Sequence, residues 1–154
     1  MSRRLYLRRQ DKTEEIKNIE FPKNIEDLDP LKMEGITIDN CYNKERKEIC
    51  LYVKEDCESF YHIAKNILKG IITDLAFSPR YEIVTNYNNS YPLEARIYGK
   101  EEIQLILDTC KTSTSFDHFI NGTHNSQKER RSCVKTLLEL YQFVLNENLE
   151  IVIH

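Results

Sequence analysis

Residues 56–75, DCESFYHIAKNILKGIITDL, contain the clearest structural pattern in the chain. Their apolar residues recur at intervals of three and four, which places them along one side of an α-helix. These residues are Phe60, Ile63, Ala64, Ile67, Leu68, Ile71 and Leu75. Asp56 is a suitable N-cap, and the helix should end before Ser78-Pro79 because the residue before a proline disfavours the helical conformation. The pattern therefore predicts one long amphipathic helix. His62, about 200° from Phe60 around this helix, is expected to face solvent.

Alternating apolar and polar residues predict strands on both sides of this helix. One hairpin is predicted from residues 36–38 and 49–53, which flank a polar turn. A second is predicted from residues 81–87 and 93–98, which flank the Asn88-Asn89-Ser90 turn. Together the two hairpins suggest one sheet that is mostly antiparallel.

Helical spacing returns at residues 103–110 and 134–145, and residues 149–153 alternate as a last strand. The approximate order ββαββααβ predicts an α+β fold, with helices packed on one face of a mostly antiparallel sheet. The opposite face should then be exposed. Residues expected there are Tyr52, Glu82, Asn86, Glu94, Arg96 and Tyr98.

The 154 residues fit a single domain, which we place at residues 35–154. Residues 1–34 are interpreted as an N-terminal arm or loosely docked extension, in which Leu5 and Leu7 form a short edge strand. The first ten residues are strongly cationic, with Arg3, Arg4, Arg8 and Arg9. They are either a solvated terminus or an arm that contacts phosphates or an acidic partner.

Charge and cysteine content narrow the class of protein. The net charge of -3, from 22 basic and 25 acidic residues, argues against a nucleic-acid-binding domain. No apolar run is long enough to cross a membrane, and the charged start predicts no signal peptide. The five cysteines are an odd number, with no close pair in sequence and no zinc-ligand spacing. We therefore expect a reducing, cytoplasmic location.

The polar stretch from Cys110 to Cys133 gathers two of the four histidines and a basic cluster. We expect a long excursion with little structure from Ser113 to Lys128, flanked by packed cysteines. A Cys–His–Asp set from Cys110 or Cys133 with His118 and Asp117 lacks a family signature. The spacing of His118 and His124 matches neither a zincin nor a zinc finger.

Three functional hypotheses follow, and none requires a cofactor, because the four isolated glycines form no P-loop or Rossmann fingerprint. The leading hypothesis is a stoichiometric inhibitor or immunity protein that neutralises a toxin, such as a nuclease, through an acidic, Tyr-rich surface. Its candidate contact residues are Asp117, His118, Asn121, His124, Tyr52, Glu82, Glu94, Arg96 and Tyr98.

The second hypothesis is a small metal-independent nuclease or nucleotide-processing enzyme, with His118 and His124 as acid and base and Arg130 and Arg131 holding phosphate. The third is a structural subunit of a larger assembly, because Leu140 and Phe143 widen the apolar side of the last helix.

Overall fold

The computed structural model describes residues 5–9, 38–43, 48–53, 57–73, 75, 78–85 and 92–154, with backbone alone at 38–43, 48–53, 57–61 and 84–85. The strands are β1 (Leu5–Arg9), β2 (Ile38–Asn43), β3 (Glu48–Val53), β4 (Arg80–Thr85), β5 (Pro92–Tyr98) and β6 (Leu149–Ile153). The helices of the described residues are α1 (Cys57–Ile71), α2 (Lys100–Thr112), α3 (Thr114–Ile120) and α4 (Lys128–Asn146), with a 3-10 turn at Asn125–Gln127.

The six strands form one sheet in the order β2-β3-β1-β6-β5-β4, and every pairing between them is antiparallel. This confirms the α+β class, both predicted hairpins and the approximate element order. The edge-strand interpretation of Leu5 and Leu7 is wrong, because β1 pairs with β3 on one side and with β6 on the other. The predicted domain boundary between residues 34 and 35 lies outside the described part of the chain.

The main core lies between the described helices and one face of the sheet. Leu68 from α1, Ile103 from α2 and Val144 from α4 are buried there against Leu7 and Ile151 of the sheet. Helix α1 ends before Ser78-Pro79, as predicted, and the chain continues in turns whose Ile72 and Leu75 are also buried. Ile63, expected on the buried side of α1, is instead 37% exposed.

Helix α4 is packed over most of its length, because its apolar residues occupy more than one side of it. Leu140 and Phe143 are both buried in the main core. The surface on which the structural-subunit hypothesis relied is therefore covered within this chain. The helix ends at a turn in which Asn148 adopts a φ of 54°, a left-handed conformation that asparagine tolerates better than most residues.

The opposite face of the sheet carries a second, smaller apolar cluster. Tyr6, Ala95, Ile97 and Val152 are buried there, and the Tyr6 ring stacks on the His154 ring with centroids 4.4 Å apart. The expectation of a solvent-exposed second face is wrong for these residues. Alternation places Ala95 and Ile97 on this face because their neighbours Arg96 and Tyr98 face the helices.

Beside this cluster, charged side chains from three strands form a chain of ion pairs. The Arg8 guanidinium donates to Glu150 (Nε–Oε1 2.8 Å) and to Glu82 (Nη2–Oε2 2.9 Å). Arg80 donates to the second Glu150 oxygen (Nη2–Oε2 2.9 Å) and to Glu102 of α2 (Nε–Oε1 2.9 Å). Arg8 and Glu150 are buried. Desolvation by burial lowers the pKa of Arg8, but the carboxylates of Glu82 and Glu150 outweigh it, so the pKa is raised.

Candidate functional site

The most exposed large apolar side chains of the described residues lie on β4, at one end of the sheet. Tyr81 is 62% exposed and Ile83 is 66% exposed. Both occupy the same face of the strand, because residues two apart in a strand point to the same side. In the register with β5, Tyr81 lies opposite Arg96 and Ile83 lies opposite Glu94, which is itself exposed. Tyr81, Ile83 and Glu94 are called the β4–β5 patch below.

Helix α1 borders this patch and contacts the neighbouring residues of β5. The Arg96 Nη1 atom lies 3.4 Å from the His62 ring nitrogen Nε2, and Lys65 donates to the Tyr98 hydroxyl at 3.1 Å. The Lys65 ammonium also lies 5.5 Å from the centre of the Tyr98 ring, a cation–π geometry. The helix thus fixes the inner boundary of the patch.

Two predicted contact residues, Tyr98 and Arg96, are covered by α1 rather than fully exposed. Tyr98 is 1% exposed, so its assignment to the solvent face is wrong; it packs in the core beneath α1. Arg96 and His62 are half-buried against each other, so His62 does not simply face solvent. Glu94 is exposed as predicted.

The remaining sheet residues of the predicted contact surface do not join the patch. Glu82 lies on the opposite face, paired with the buried Arg8 guanidinium. Tyr52 pairs in register with Asp39 of β2, at the far end of the sheet, and Asn86 lies outside the described residues. The predicted surface is thus divided between two faces and two ends of the sheet.

The polar stretch after Cys110 contains more structure than expected. Ser113 caps α3, because its hydroxyl accepts a hydrogen bond from the Phe116 backbone N–H at 3.1 Å. The buried Phe116 ring anchors the helix in the main core. The prediction of an excursion without structure is therefore wrong for residues 114–120. Ser113 at the N-cap and an apolar residue three positions later were the available signals.

Four predicted contact residues lie on the surface of this short helix and the turn that follows it. Asp117, His118, Asn121 and His124 are all exposed. Asn121 donates its side-chain amide to the Asp117 carboxylate at 2.9 Å, which satisfies part of their hydrogen-bonding capacity locally. His118 lies in the last turn of α3, and His124 precedes the 3-10 turn.

The basic cluster of the nuclease hypothesis begins α4. Lys128 and Arg130 are exposed, whereas Arg131 is half-buried. A Cβ atom built on Gly122 would lie 3.1 Å from the His118 carbonyl oxygen and 3.8 Å from Arg131 Nη1. The Arg131 guanidinium is therefore close to the C-terminal end of α3, where a cation complements the exposed carbonyls. The assignment of Arg131 to phosphate binding in a nuclease stays a prediction.

The two cysteines that border this stretch are packing residues, as predicted. Cys110 and Cys133 are free and buried, and burial raises the pKa of the Cys110 thiol to about 11. A thiol that resists ionisation is a poor nucleophile at neutral pH, which does not favour Cys110 in a Cys–His–Asp set. Within the described ranges, no group of three or more His, Cys, Asp or Glu residues is arranged to hold a metal ion.

Sequence reasoning missed Tyr81 and Ile83 as contact residues. Their alternation with Glu82 and Val84 indicated a buried apolar side. Tyr81 and Ile83 are exposed instead, because β4 is the last strand in the order of the described sheet and these two side chains are left uncovered there. Position in a sheet depends on long-range pairing, which alternation along one strand does not reveal.

None of the described helices is long and apolar enough to cross a membrane. Comparison of the chain with protein-family models, with curated proteins and with solved structures found no match.

Proposed function

We propose that this protein is a stoichiometric binding protein and that the β4–β5 patch is part of its contact surface. The observation that carries the proposal is the exposure of Tyr81 and Ile83 side by side on one strand. Aromatic residues are enriched in protein–protein contacts, and water is released from the apolar surface of both side chains when a partner covers them.

The position of β4 supports a specific mode of binding. Among the described strands, β4 has β5 as its one neighbour. The outer side of such a strand presents backbone N–H and C=O groups that an extended segment of another protein can pair with. The partner would thereby extend the sheet, and its side chains would pack against Tyr81 and Ile83.

Charge favours a basic partner. The chain carries a net charge of -3, and the exposed Glu94 carboxylate lies opposite Ile83 in the register. A lysine or arginine on the incoming segment would meet this carboxylate at the edge of the apolar contact, where a charge pair contributes mainly to specificity and association rate. The specific form that we propose is an inhibitor or immunity protein that neutralises a basic toxin domain, such as a nuclease.

The test compares three versions of the full chain as affinity bait in an extract of the native cells. The wild type should retain one partner at a one-to-one ratio. The double variant Tyr81→Ser with Ile83→Thr should lose that partner, with affinity lower by about tenfold or more, because truncated contact residues at the centre of an interface typically cost over about 1 kcal/mol each. Leu105→Ser is the matched control, since Leu105 is 53% exposed and belongs to α2 rather than to β4.

The inhibitory form of the proposal has its own readout. The purified partner should lose its toxic or enzymatic activity when one equivalent of this protein is added, and Glu94→Gln should slow association more at low salt than at high salt. Retention of the partner by the double variant would disprove the role of the patch. A partner that stays fully active when saturated would disprove inhibition.

A further inference from the structure

Two cysteines that are nine positions apart in sequence occupy opposed positions in the pairing of β2 with β3. The antiparallel register places Cys41 directly opposite Cys50. Directly opposed residues in such a pair have Cα atoms about 4.5 Å or about 5.5 Å apart, depending on their place in the hydrogen-bond ladder. Both separations lie within the range of about 4.4–6.8 Å that a disulfide spans. The backbone therefore permits a cross-strand bond at this position.

We propose that Cys41 and Cys50 form a reversible dithiol–disulfide pair, a redox modification site on the end strand β2. The oxidant is a low-molecular-weight disulfide such as oxidised glutathione. One cysteine thiolate attacks it, forms a mixed disulfide and releases one glutathione thiolate. The other cysteine thiolate then attacks the protein sulfur, closes the Cys41–Cys50 bond and releases the second. The two electrons and two protons lost by the cysteines are recovered in two glutathione thiols.

Strand geometry explains why the bond should be reversible. Opposed residues in a sheet have Cβ atoms about 4.5–5.5 Å apart, whereas a disulfide prefers about 3.5–4.5 Å. Closing the bond draws the strands together locally, and a strained disulfide is more readily reduced than a relaxed one. Strand β2 can accommodate the movement because, in the described sheet, it has a neighbour on one side only.

The register also separates this pair from the buried cysteines of the helical core. Cys50 pairs with Tyr6 as well as with Cys41, so the three positions share one face of the sheet. Tyr6 belongs to the apolar cluster on the face opposite the helices. Cys110 and Cys133 are buried in the main core, on the other side of the sheet. Exchange between the pair and these two thiols would require the sheet to open.

The test uses the full wild-type chain, equilibrated in buffers of increasing oxidised-to-reduced glutathione ratio, alkylated and digested without reduction. Mass spectrometry should recover a cross-linked Cys41–Cys50 peptide pair at the oxidising end and two alkylated cysteines at the reducing end. The glutathione ratio at which half of the chains are cross-linked should be the same whether the equilibration starts from the reduced or from the oxidised protein. Cys41→Ser and Cys50→Ser should each carry a single glutathione on the remaining cysteine of the pair, whereas Cys57→Ser, the matched control, should retain the cross-link.

Two results would overturn the proposal. One is a wild-type chain that keeps its native circular dichroism spectrum while Cys41 and Cys50 stay separately alkylated at every glutathione ratio, or while either one links to Cys57 instead. The other is a cross-link that persists at the reducing end, which would make the bond structural rather than reversible. The proposal does not depend on the β4–β5 patch, which lies at the other end of the sheet.

Discussion

Arg80 reaches Glu150 over Gly99, and the contact exists because Gly99 has no side chain. The Arg80 Nη2 atom donates to Glu150 Oε2 at 2.9 Å. A Cβ atom on Gly99 would lie 2.8 Å from that same Nη2 atom, closer than two such atoms can approach. The φ of Gly99 is -94°, which other residues adopt freely, so the space occupied by Arg80 sets the requirement for glycine.

Gly99→Ala should therefore displace the Arg80 guanidinium and break its bond to Glu150. We expect a loss of about 0.5–1 kcal/mol in the free energy of unfolding, a small value because the Arg80 side chain is exposed and solvent weakens the pair. Urea denaturation measures it. In an Arg80→Ala background the same change should cost less, because only the 3.2 Å approach of the added Cβ atom to Glu102 Oε2 then remains tight. An equal cost in both backgrounds would show that Arg80 is not the cause.

Arg8→Met should be far more damaging than Arg9→Met on the same strand. Removal of the Arg8 guanidinium leaves the buried Glu150 carboxylate undercompensated, which typically costs about 3–5 kcal/mol. Arg9 donates instead to the exposed Glu147 carbonyl at 2.7 Å, a contact worth about 1 kcal/mol. Thermal or urea unfolding of both variants provides the comparison. Adding Glu150→Gln to Arg8→Met should restore part of the loss, because it removes the uncompensated charge.

Asn148→Ala should destabilise the turn between α4 and β6, whereas Asn148→Gly should not. The positive φ of Asn148 costs an ordinary L-residue about 1–2 kcal/mol, and glycine avoids that cost. Unfolding free energies of the two variants should differ by about 1 kcal/mol or more in favour of glycine. Equal stabilities would indicate that the turn adopts another conformation.

Ser113→Ala should loosen α3 through loss of its N-terminal cap. Removal of a side chain that accepts from a backbone N–H costs about 1 kcal/mol at such a position. Ser113→Asp should retain stability, since aspartate caps equally well. Ser115→Ala, at an exposed position within the same helix, is the control and should be nearly neutral. Hydrogen exchange of the Phe116 amide would locate the effect.

Burial of Cys110 predicts a stability change in alkaline solution. Its thiol has a pKa of about 11 in the folded protein and an ordinary value of 9.0. The folded state therefore holds this proton more tightly than the unfolded state. The stabilisation is fully present below pH 9 and is lost as the pH rises from 9 toward 11, by about 1.4 kcal/mol per pH unit. Cys110→Ala should show a shallower decline over that interval, and slow alkylation of the wild type at pH 8 is a second readout.

Local pattern was sufficient for most of the secondary structure. Spacing of apolar residues identified α1, α2 and α4, and alternation identified both hairpins and β6. Each of these signals depends on residues a few positions apart, which share a local conformation. The helix that sequence reasoning missed, α3, is seven residues long and has one buried anchor, Phe116, too few to produce a visible periodicity.

Long-range pairing accounts for what sequence reasoning assigned wrongly. Tyr98 and Ile97 alternate in sequence, but which of them meets the helices depends on the register with β6. The exposure of Tyr81 and Ile83 likewise depends on the place of β4 in the sheet, which is set by pairing between strands. The pairing of Cys41 with Cys50, by contrast, lies within a local hairpin whose exact register was not predicted. The candidate site was therefore less predictable than the fold.

The place of β6 in the sheet has a consequence for how the chain folds. Within the described sheet, β6 joins the group β2-β3-β1 to the group β5-β4, and it follows every other described element along the chain. Arg8 and Glu150, which meet across β1 and β6, are separated by 142 positions. Contacts of such high sequence separation slow folding, because a long loop must close before they form. Neither group of strands can join the other until β6 has paired. We therefore expect the two groups to become stable together, in one late cooperative step.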